Sequence, residues 1–382
     1  MDFLRRADWL TRERVRGYAL LLGLASLALL AHSYIQAMGV AGTDFLAFWG
    51  AGHVTILGDP ASAYDLATQR QIQTSTGSEG WFAFVNPPPF LFAAAPFGAL
   101  PFPLAWLAWV AVTYSLWAWA GIRAFPNLWP LVLAYPGALI AAGHAQTGLL
   151  TGALLILAAQ EVSRRPSVSG VAIGALMIKP HLAVLAPVWL AAGRHWRAFI
   201  IAGASATILL LAAWSVFGTA TMLAYPTSWQ ASRALMEGLD REFLLRMTTF
   251  FSQFRLIAGD GLALIAAILS GVLALATAVT SARRFPGDAR GAAAAVLAAT
   301  ALASPYLFSY DLPFLIFPTL WLVEQGRAQG FRDYEKLLLV ALWFAPYATR
   351  AAALPMGVNL MPLAAVALLV LVWTRAAPRD FP

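Results

Sequence analysis

The sequence predicts an all-α polytopic membrane protein, a single membrane domain over residues 1–382. Three observations predict it. Hydrophobic residues make up 60% of the chain and charged residues 11%, where a soluble domain carries about 45–50% and about 25%. The mean hydropathy is +0.70. Apolar runs long enough to cross a bilayer, about 20 residues each, recur along the chain. Together these exclude a soluble enzyme, a disordered chain and a fibre. The absence of cysteine excludes disulfides, zinc–thiolate sites and iron–sulfur clusters.

Taken in order, the strong candidate spans are 17–38, 103–122, 196–217, 260–282 and 358–374. Shorter or broken candidates are 127–143, 147–162, 167–178, 181–193, 289–303, 308–323 and 335–348. They predict about 12 transmembrane helices, within a range of about 10–13. Short helices are tolerated where backbone lines a polar cavity. The first run is too long for a signal-peptide core and lacks a small-residue cleavage site. Lys179 and Lys336 are the only lysines among 25 basic residues; this arginine bias, with abundant alanine, suggests a bacterial chain.

The distribution of basic residues orients the chain. If the tail bearing Arg5, Arg6, Arg12, Arg14 and Arg16 is cytoplasmic, 18 of the 25 basic residues fall on that side. Both termini are then cytoplasmic. The net charge of +7 is thus a property of topology rather than a nucleic-acid footprint. Two long loops lie on the outer side, 39–102 and 218–259. The first is rich in aromatics and proline, including Trp49, Trp81, Phe82 and Pro87. That composition predicts short interfacial helices rather than disorder.

Ionisable residues at membrane depth are costly, so each marks a candidate site. They concentrate on the outer side: Asp44 after the first span, His144 and Gln146 in one turn, Lys179 in another, Asp240 and Glu242 in the second loop, Tyr310 and Asp311 in a third turn, and Arg350 in the last. Competing structural readings exist for each. Asp44 can cap the segment that follows it. Lys179 can snorkel from a helix end. His144 and Gln146 can satisfy a tight turn, Asp311 can neutralise an arginine, and Asp240 and Glu242 can be a solvated face. No phosphate-binding loop, dinucleotide fingerprint or H-E-x-x-H metal motif occurs. Nor does a D-x-D metal–nucleotide signature; Asp240-Arg241-Glu242 is the nearest approach.

Several motifs, in order, resemble glycosyltransferase family 87. They are Asp44-Phe45 with Phe48-Trp49-Gly50-Ala51-Gly52, then Gly58, Ala63-Tyr64-Asp65 and Asn86-Pro87-Pro88-Pro89-Phe90. Gly143 with Gln146, Lys179-Pro180, Arg194-His195-Trp196-Arg197 and Ser304-Pro305 with Asp311 follow. The resemblance spans about residues 42–311 and departs from the family pattern at Asn86, usually tyrosine, and at Tyr310-Asp311, where histidine is common. It implies the multi-span GT-C fold, with its active site on the outer face of a bacterial inner membrane. It also implies transfer of a hexose, mannose foremost, from a polyprenyl-phosphate sugar to a glycolipid or glycan acceptor. By the same resemblance Asp44 is the catalytic base.

The chemistry of such a donor fits the residues. A lipid phosphate needs cations, for which Lys179, His144 and Arg350 are candidates. The acceptor hydroxyl needs a base. Gln146, Tyr310, Asp311, Asp240 and Glu242 are candidates to contact the acceptor or support the site. The phosphate leaves as an anion, so no metal or other cofactor is expected, and single displacement inverts the anomeric centre. The reading from a different class is a lipid or sugar transporter, which would predict internal repeats with polar residues at the midplane.

Overall fold

The computed structural model describes residues 2–230, 233 and 240–376. Arg379 and part of the second outer loop lie outside these residues. The chain is helical almost throughout; among the described residues the one isolated β-bridge joins Met247 to Phe308.

The chain opens with α1 (Asp2–Arg6) and α2 (Arg12–Ala37), whose start is capped by Thr11 accepting from Arg14 N at 3.3 Å. The first outer loop folds into α3 (Phe45–Ile56), α4 (Leu66–Thr74) and α5 (Leu91–Gly98). Then come α6 (Phe102–Ala124), α7 (Trp129–Leu133), α8 (Pro136–Gly143), α9 (Gly148–Glu161), α10 (Pro166–Ala175) and α11 (Ala186–Ala192). Proline in the first turn marks the start of α6, α7, α8, α10 and α11, where its missing N–H costs no helical hydrogen bond. The long α12 (Trp196–Ala224) breaks at Gly218, whose φ of 79° lies outside helical space, at the point where the second outer loop was expected to begin. That loop holds α13 (Arg241–Arg246) and α14 (Phe250–Ala258). The chain ends with α15 (Asp260–Arg284), α16 (Ala289–Ala303), α17 (Ile316–Gln329), α18 (Glu335–Met356) and α19 (Met361–Thr374).

Among the described residues five helices are long and apolar enough to cross a membrane: α2, α6, α12, α15 and α18. Four match strong candidates from the sequence. The fifth expected span, 358–374, is the 14-residue α19, whereas the broken candidate at 335–348 is the 22-residue α18. Left-handed Gly357 ends α18 and moves the boundary. Most other expected passes are apolar helices of 10–17 residues, so the expected twelve are not twelve full-length spanning helices.

The division of labour among helices follows from burial. Leu20, Leu21, Leu24 and Leu27 on α2, Ile200, Ile208 and Leu211 on α12, and Leu264, Ile265, Ile268 and Leu269 on α15 are all exposed. Apolar side chains facing outward in rows fit a lipid solvent. At the centre lies α16, in which every residue from Gly291 to Leu302 is buried. Its alanines let α15, α17 and α19 approach closely, as small residues do in membrane packing. The first outer loop also departs from expectation. Instead of lying at an interface, α3 buries Phe45 through Gly52. The reason is its seam with α5: a Cβ on Gly52 would stand 2.3 Å from the Ala94 carbonyl oxygen, and one on Gly98 would stand 2.2 Å from the Gly52 carbonyl carbon.

The end of the molecule where α2 begins is fastened by ion pairs. Arg123 meets Glu161 at 3.0 Å and Arg290 meets Glu324 at 3.0 Å. The most buried pair joins Arg375, after α19, to Glu335, the first residue of α18. Arg375 also donates to the Gly330 carbonyl at 2.9 Å, and Glu335 accepts from Arg332 N at 2.8 Å. Removing one partner of a buried pair strands the other. Arg375→Ala should destabilise the protein by about 3–5 kcal/mol, read as a lowered thermal midpoint in detergent. The double variant Arg375→Leu/Glu335→Leu should recover much of that loss.

Candidate active site

The polar residues that the sequence placed on one side come from six stretches of chain, four of them at breaks between helices. Asp44 stands at the start of α3, after a tight turn in which Gly42 adopts a φ of 68°. His144, Gln146 and Thr147 occupy the link between α8 and α9, reversed by Ala145 at a φ of 46°. An alanine in left-handed space is strained, and the turn is held by Gln146 N donating to the Ala141 carbonyl at 2.9 Å. Lys179 interrupts two 3-10 turns, Leu176–Ile178 and Pro180–Ala183. Tyr310 and Asp311 lie in the 3-10 segment Ser309–Leu315. Glu242 and Arg246 come from α13, and Arg350 from α18.

These stretches are bonded to one another. Gln146 Nε2 donates to Asp44 Oδ2 at 3.0 Å, and Thr43 Oγ1 donates to the His144 carbonyl at 3.2 Å. Lys179 Nζ forms an ion pair with Asp311, donates to Thr147 Oγ1 at 3.2 Å and lies 5.4 Å from the Tyr310 ring centre. The second oxygen of Asp311 accepts from Phe308 N at 3.2 Å. Gly148 packs so tightly under this segment that a Cβ there would fall 1.7 Å from the Tyr310 carbonyl oxygen. From the first outer loop, Asn86 Nδ2 donates to the Ile178 carbonyl at 3.2 Å, fixing the residue before Lys179. From the second, Thr248 N donates to the Leu307 carbonyl at 2.8 Å and Thr249 Oγ1 to the Pro305 carbonyl at 3.1 Å.

The electrostatics separate the carboxylates. Asp311 is buried and paired with Lys179, whose side chain is 12% exposed. Asp240 is exposed and caps α13, accepting from Glu242 N at 2.9 Å. Glu242 pairs with Arg246 at 3.2 Å. Asp44 alone of the four makes no ion pair and no cap bond among the described residues; its one hydrogen bond comes from Gln146. Arg350 is half-buried and makes no ion pair or hydrogen bond among the described residues. Both its charge and that of Arg246 are felt at His144. Burial pushes the His144 pKa down; Asp44 opposes this and Arg350 and Arg246 add to it. Burial, then Asp311 and Asp44, hold the Tyr306 hydroxyl in its protonated form. A free carboxylate, two guanidinium groups and a neutral imidazole thus share one site.

A comparison with protein families matches glycosyltransferase family 87 over residues 84–305, more than half of the chain. The chain belongs to glycosyltransferase family 87. It is therefore a membrane glycosyltransferase. No curated protein and no solved structure matches it. The matched stretch of this glycosyltransferase holds Asn86, His144, Gln146, Lys179, Asp240 and Glu242. Asp44, Tyr310, Asp311 and Arg350 lie outside it and join the site by geometry alone.

Most residues singled out by sequence converge. Asp44, His144, Gln146, Lys179, Tyr310 and Asp311 are linked by direct contacts or through Thr43 and Thr147. Three readings change. Asp44 starts α3 without capping it. Asp311 neutralises Lys179 rather than an arginine. Asp240 is a helix cap at the periphery. Sequence placed Arg246 and Tyr306 on the same side without giving them a role, and Thr147 and His181 were not singled out. Arg246 carried one signal, its i,i+4 spacing from Glu242, but that spacing describes only the local pair.

The depressed pKa of His144 sets a pH dependence. The folded protein keeps the imidazole neutral, whereas the unfolded chain takes up a proton near about pH 6.5. Stability from His144 is present above that pH and is lost as pH falls towards the folded value. Between about pH 7 and about pH 5 the wild-type thermal midpoint should fall further than that of His144→Gln. Equal losses would show that His144 is not held neutral.

Proposed function

We propose that this glycosyltransferase moves a hexose, mannose by family resemblance, from a polyprenyl-phosphate sugar to a glycolipid or glycan acceptor. The supporting observation is the isolation of Asp44. A general base must be ionised and uncommitted, and Asp44 is the one candidate carboxylate with neither a cation nor a helix cap to satisfy. In this reading its Oδ2 is aimed by Gln146 and takes the acceptor hydroxyl proton as the oxygen attacks the anomeric carbon. The bond to phosphate breaks on the opposite face, so the configuration inverts.

The leaving phosphate needs positive charge where its oxygen is released. Arg350 supplies it without a bound carboxylate, and Arg246 adds to it from α13. Lys179 arrives already neutralised by Asp311, so it offers ammonium N–H donors more than net charge. His144, uncharged, donates or accepts a hydrogen bond between the two halves. Tyr310 lies beside His144 and Lys179, with ring centres 5.9 Å apart for the first pair. It lines the sugar, while Gln146 and Asp311 hold the catalytic groups and Glu242 tunes Arg246. Among the described residues no group of three or more His, Asp or Glu side chains converges for a metal ion. In the proposed chemistry the guanidinium groups carry the phosphate charge and no cofactor is required.

The test is transfer of labelled hexose from polyprenyl-phosphate mannose and polyprenyl-phosphate glucose to native lipid acceptors. Asp44→Asn should bind donor normally and lose turnover by about 10²–10⁴-fold. Arg350→Ala should raise the donor KM by at least roughly tenfold and more than Lys179→Ala does. Wild-type turnover in Asp44→Asn would remove the base assignment.

In the proposed orientation the site faces the outer side of the bacterial inner membrane, with both termini cytoplasmic. The split of basic residues supports it. Ser75 is exposed in the first outer loop. In this cysteine-free chain Ser75→Cys should react with an impermeant maleimide in cells with a permeabilised outer envelope and an intact inner membrane. Labelling only after lysis of the inner membrane would reverse the orientation.

A further inference from the structure

The end of the molecule away from Asp44 holds a second concentration of positive charge with a different character. The 26 residues of α2 separate Arg12 from the Asp44 end, about 39 Å at 1.5 Å per residue. At this far end a cavity of about 180 Å³ opens between the first turns of α2, the segment around Trp129 and the end of α17. Arg12, Arg16 and Arg327 line it together with Leu128, Trp129 and Leu131, and no carboxylate does.

What sets these arginines apart is that three of them line one cavity together. Arg5, Arg123, Arg290, Lys336 and Arg375, at the same end, each have an acidic partner. None of the three guanidinium groups of the cleft makes an ion pair or hydrogen bond among the described residues. Arg16 lies 5.7 Å from the Trp129 ring centre, which orients it without neutralising it. Partial burial and the charge of Arg12 both press against protonation of Arg327, and Glu324 is the one acidic group opposing them. The three guanidinium groups are exposed, so they stand open to an anion that enters the cleft.

The walls state what kind of anion. One side is guanidinium, suited to bidentate bonding of phosphate oxygens. The other is Leu128, Trp129 and Leu131, and further along α2 Tyr18, Leu20 and Leu21 are exposed. A free phosphate has no use for the apolar wall. We propose that this cleft binds the headgroup phosphate of an anionic membrane phospholipid, with its acyl chains running along the lipid-facing side of α2. Basic pockets between membrane helices recognise anionic headgroups in this way.

The test reads lipid binding, independently of transferase activity. Purified full-length protein is titrated with dioleoyl phosphatidylglycerol, dioleoyl phosphatidylcholine or inorganic phosphate and examined by native mass spectrometry. Phosphatidylglycerol should be retained and phosphatidylcholine lost. The triple variant Arg12→Gln/Arg16→Gln/Arg327→Gln should bind phosphatidylglycerol at least roughly tenfold more weakly. A control triple elsewhere at the same end, Arg164→Gln/Arg165→Gln/Arg194→Gln, should match wild type. Equal behaviour of the two triples would overturn the proposal. Displacement of phosphatidylglycerol by millimolar inorganic phosphate would instead assign the cleft to a free anion. Should the triple variant fail to fold, photo-crosslinking of wild type with a diazirine phosphatidylglycerol decides: label at 12–16 and 126–131 supports the site, and label confined elsewhere refutes it.

Discussion

The ion pair between Lys179 and Asp311 is the constraint around which the outer end of the molecule is organised. In a bundle this apolar, an unpaired charge at either position would cost several kcal/mol. The two residues are 132 positions apart in sequence, so their pairing fixes the break after α10 against the segment leading into α17. Thr147 joins the same ammonium and brings the α8–α9 turn with it. Gln146, next in that turn, reaches Asp44. One buried pair therefore sets the place of the turn that aims the proposed base. It also removes a cation from the neighbourhood of Asp44, leaving that carboxylate free.

Backbone geometry reinforces the arrangement. Breaks in membrane helices expose N–H and C=O groups that lipid cannot satisfy, so such breaks persist only where protein or water meets them. Here side chains do so. Asn86 satisfies the Ile178 carbonyl, Thr43 that of His144, Thr248 and Thr249 those of Leu307 and Pro305. The first and second outer loops thus close over the breaks from either side. Ala145 in left-handed space and Gly148 under the Tyr310 carbonyl show how closely the turn is held. Substitution at Gly148 would displace backbone rather than a side chain.

Much of this was legible in the sequence because lipid penalises charge so strongly. An aspartate, a lysine and a histidine flanking apolar runs stand out, and their concentration on one side follows from counting runs. That reasoning reached Asp44, His144, Gln146, Lys179, Tyr310 and Asp311. It did not reach the pairing of Lys179 with Asp311, because neither spacing nor periodicity encodes a contact between distant segments. It placed Arg246 on the same side but gave it no role, because nothing in its loop's sequence encodes the influence on His144. Hydropathy gave the number of long helices but exchanged the lengths of the last two. The alanine-rich run 289–303 reads like a short span, yet α16 is buried in protein on every side. The same limit applied to α3, whose aromatic residues suggested an interfacial surface and proved to be core.

The surroundings of His144 bear on how the proposed base and the proposed phosphate cations share one small site. A carboxylate placed against guanidinium groups would pair with them, and the base and the phosphate ligands would be lost together. The Asp44 carboxylate and the charges of Arg246 and Arg350 act on the same imidazole from outside it. Burial pushes that ring towards its uncharged form, so it adds no charge to the site. Tyr310 lies tilted beside it and also faces Lys179. In the proposed chemistry the acceptor hydroxyl approaches Asp44 and the phosphate approaches Arg350, and both groups act on this ring. The separation is set by packing rather than by charge balance, which is why it survives before any substrate binds.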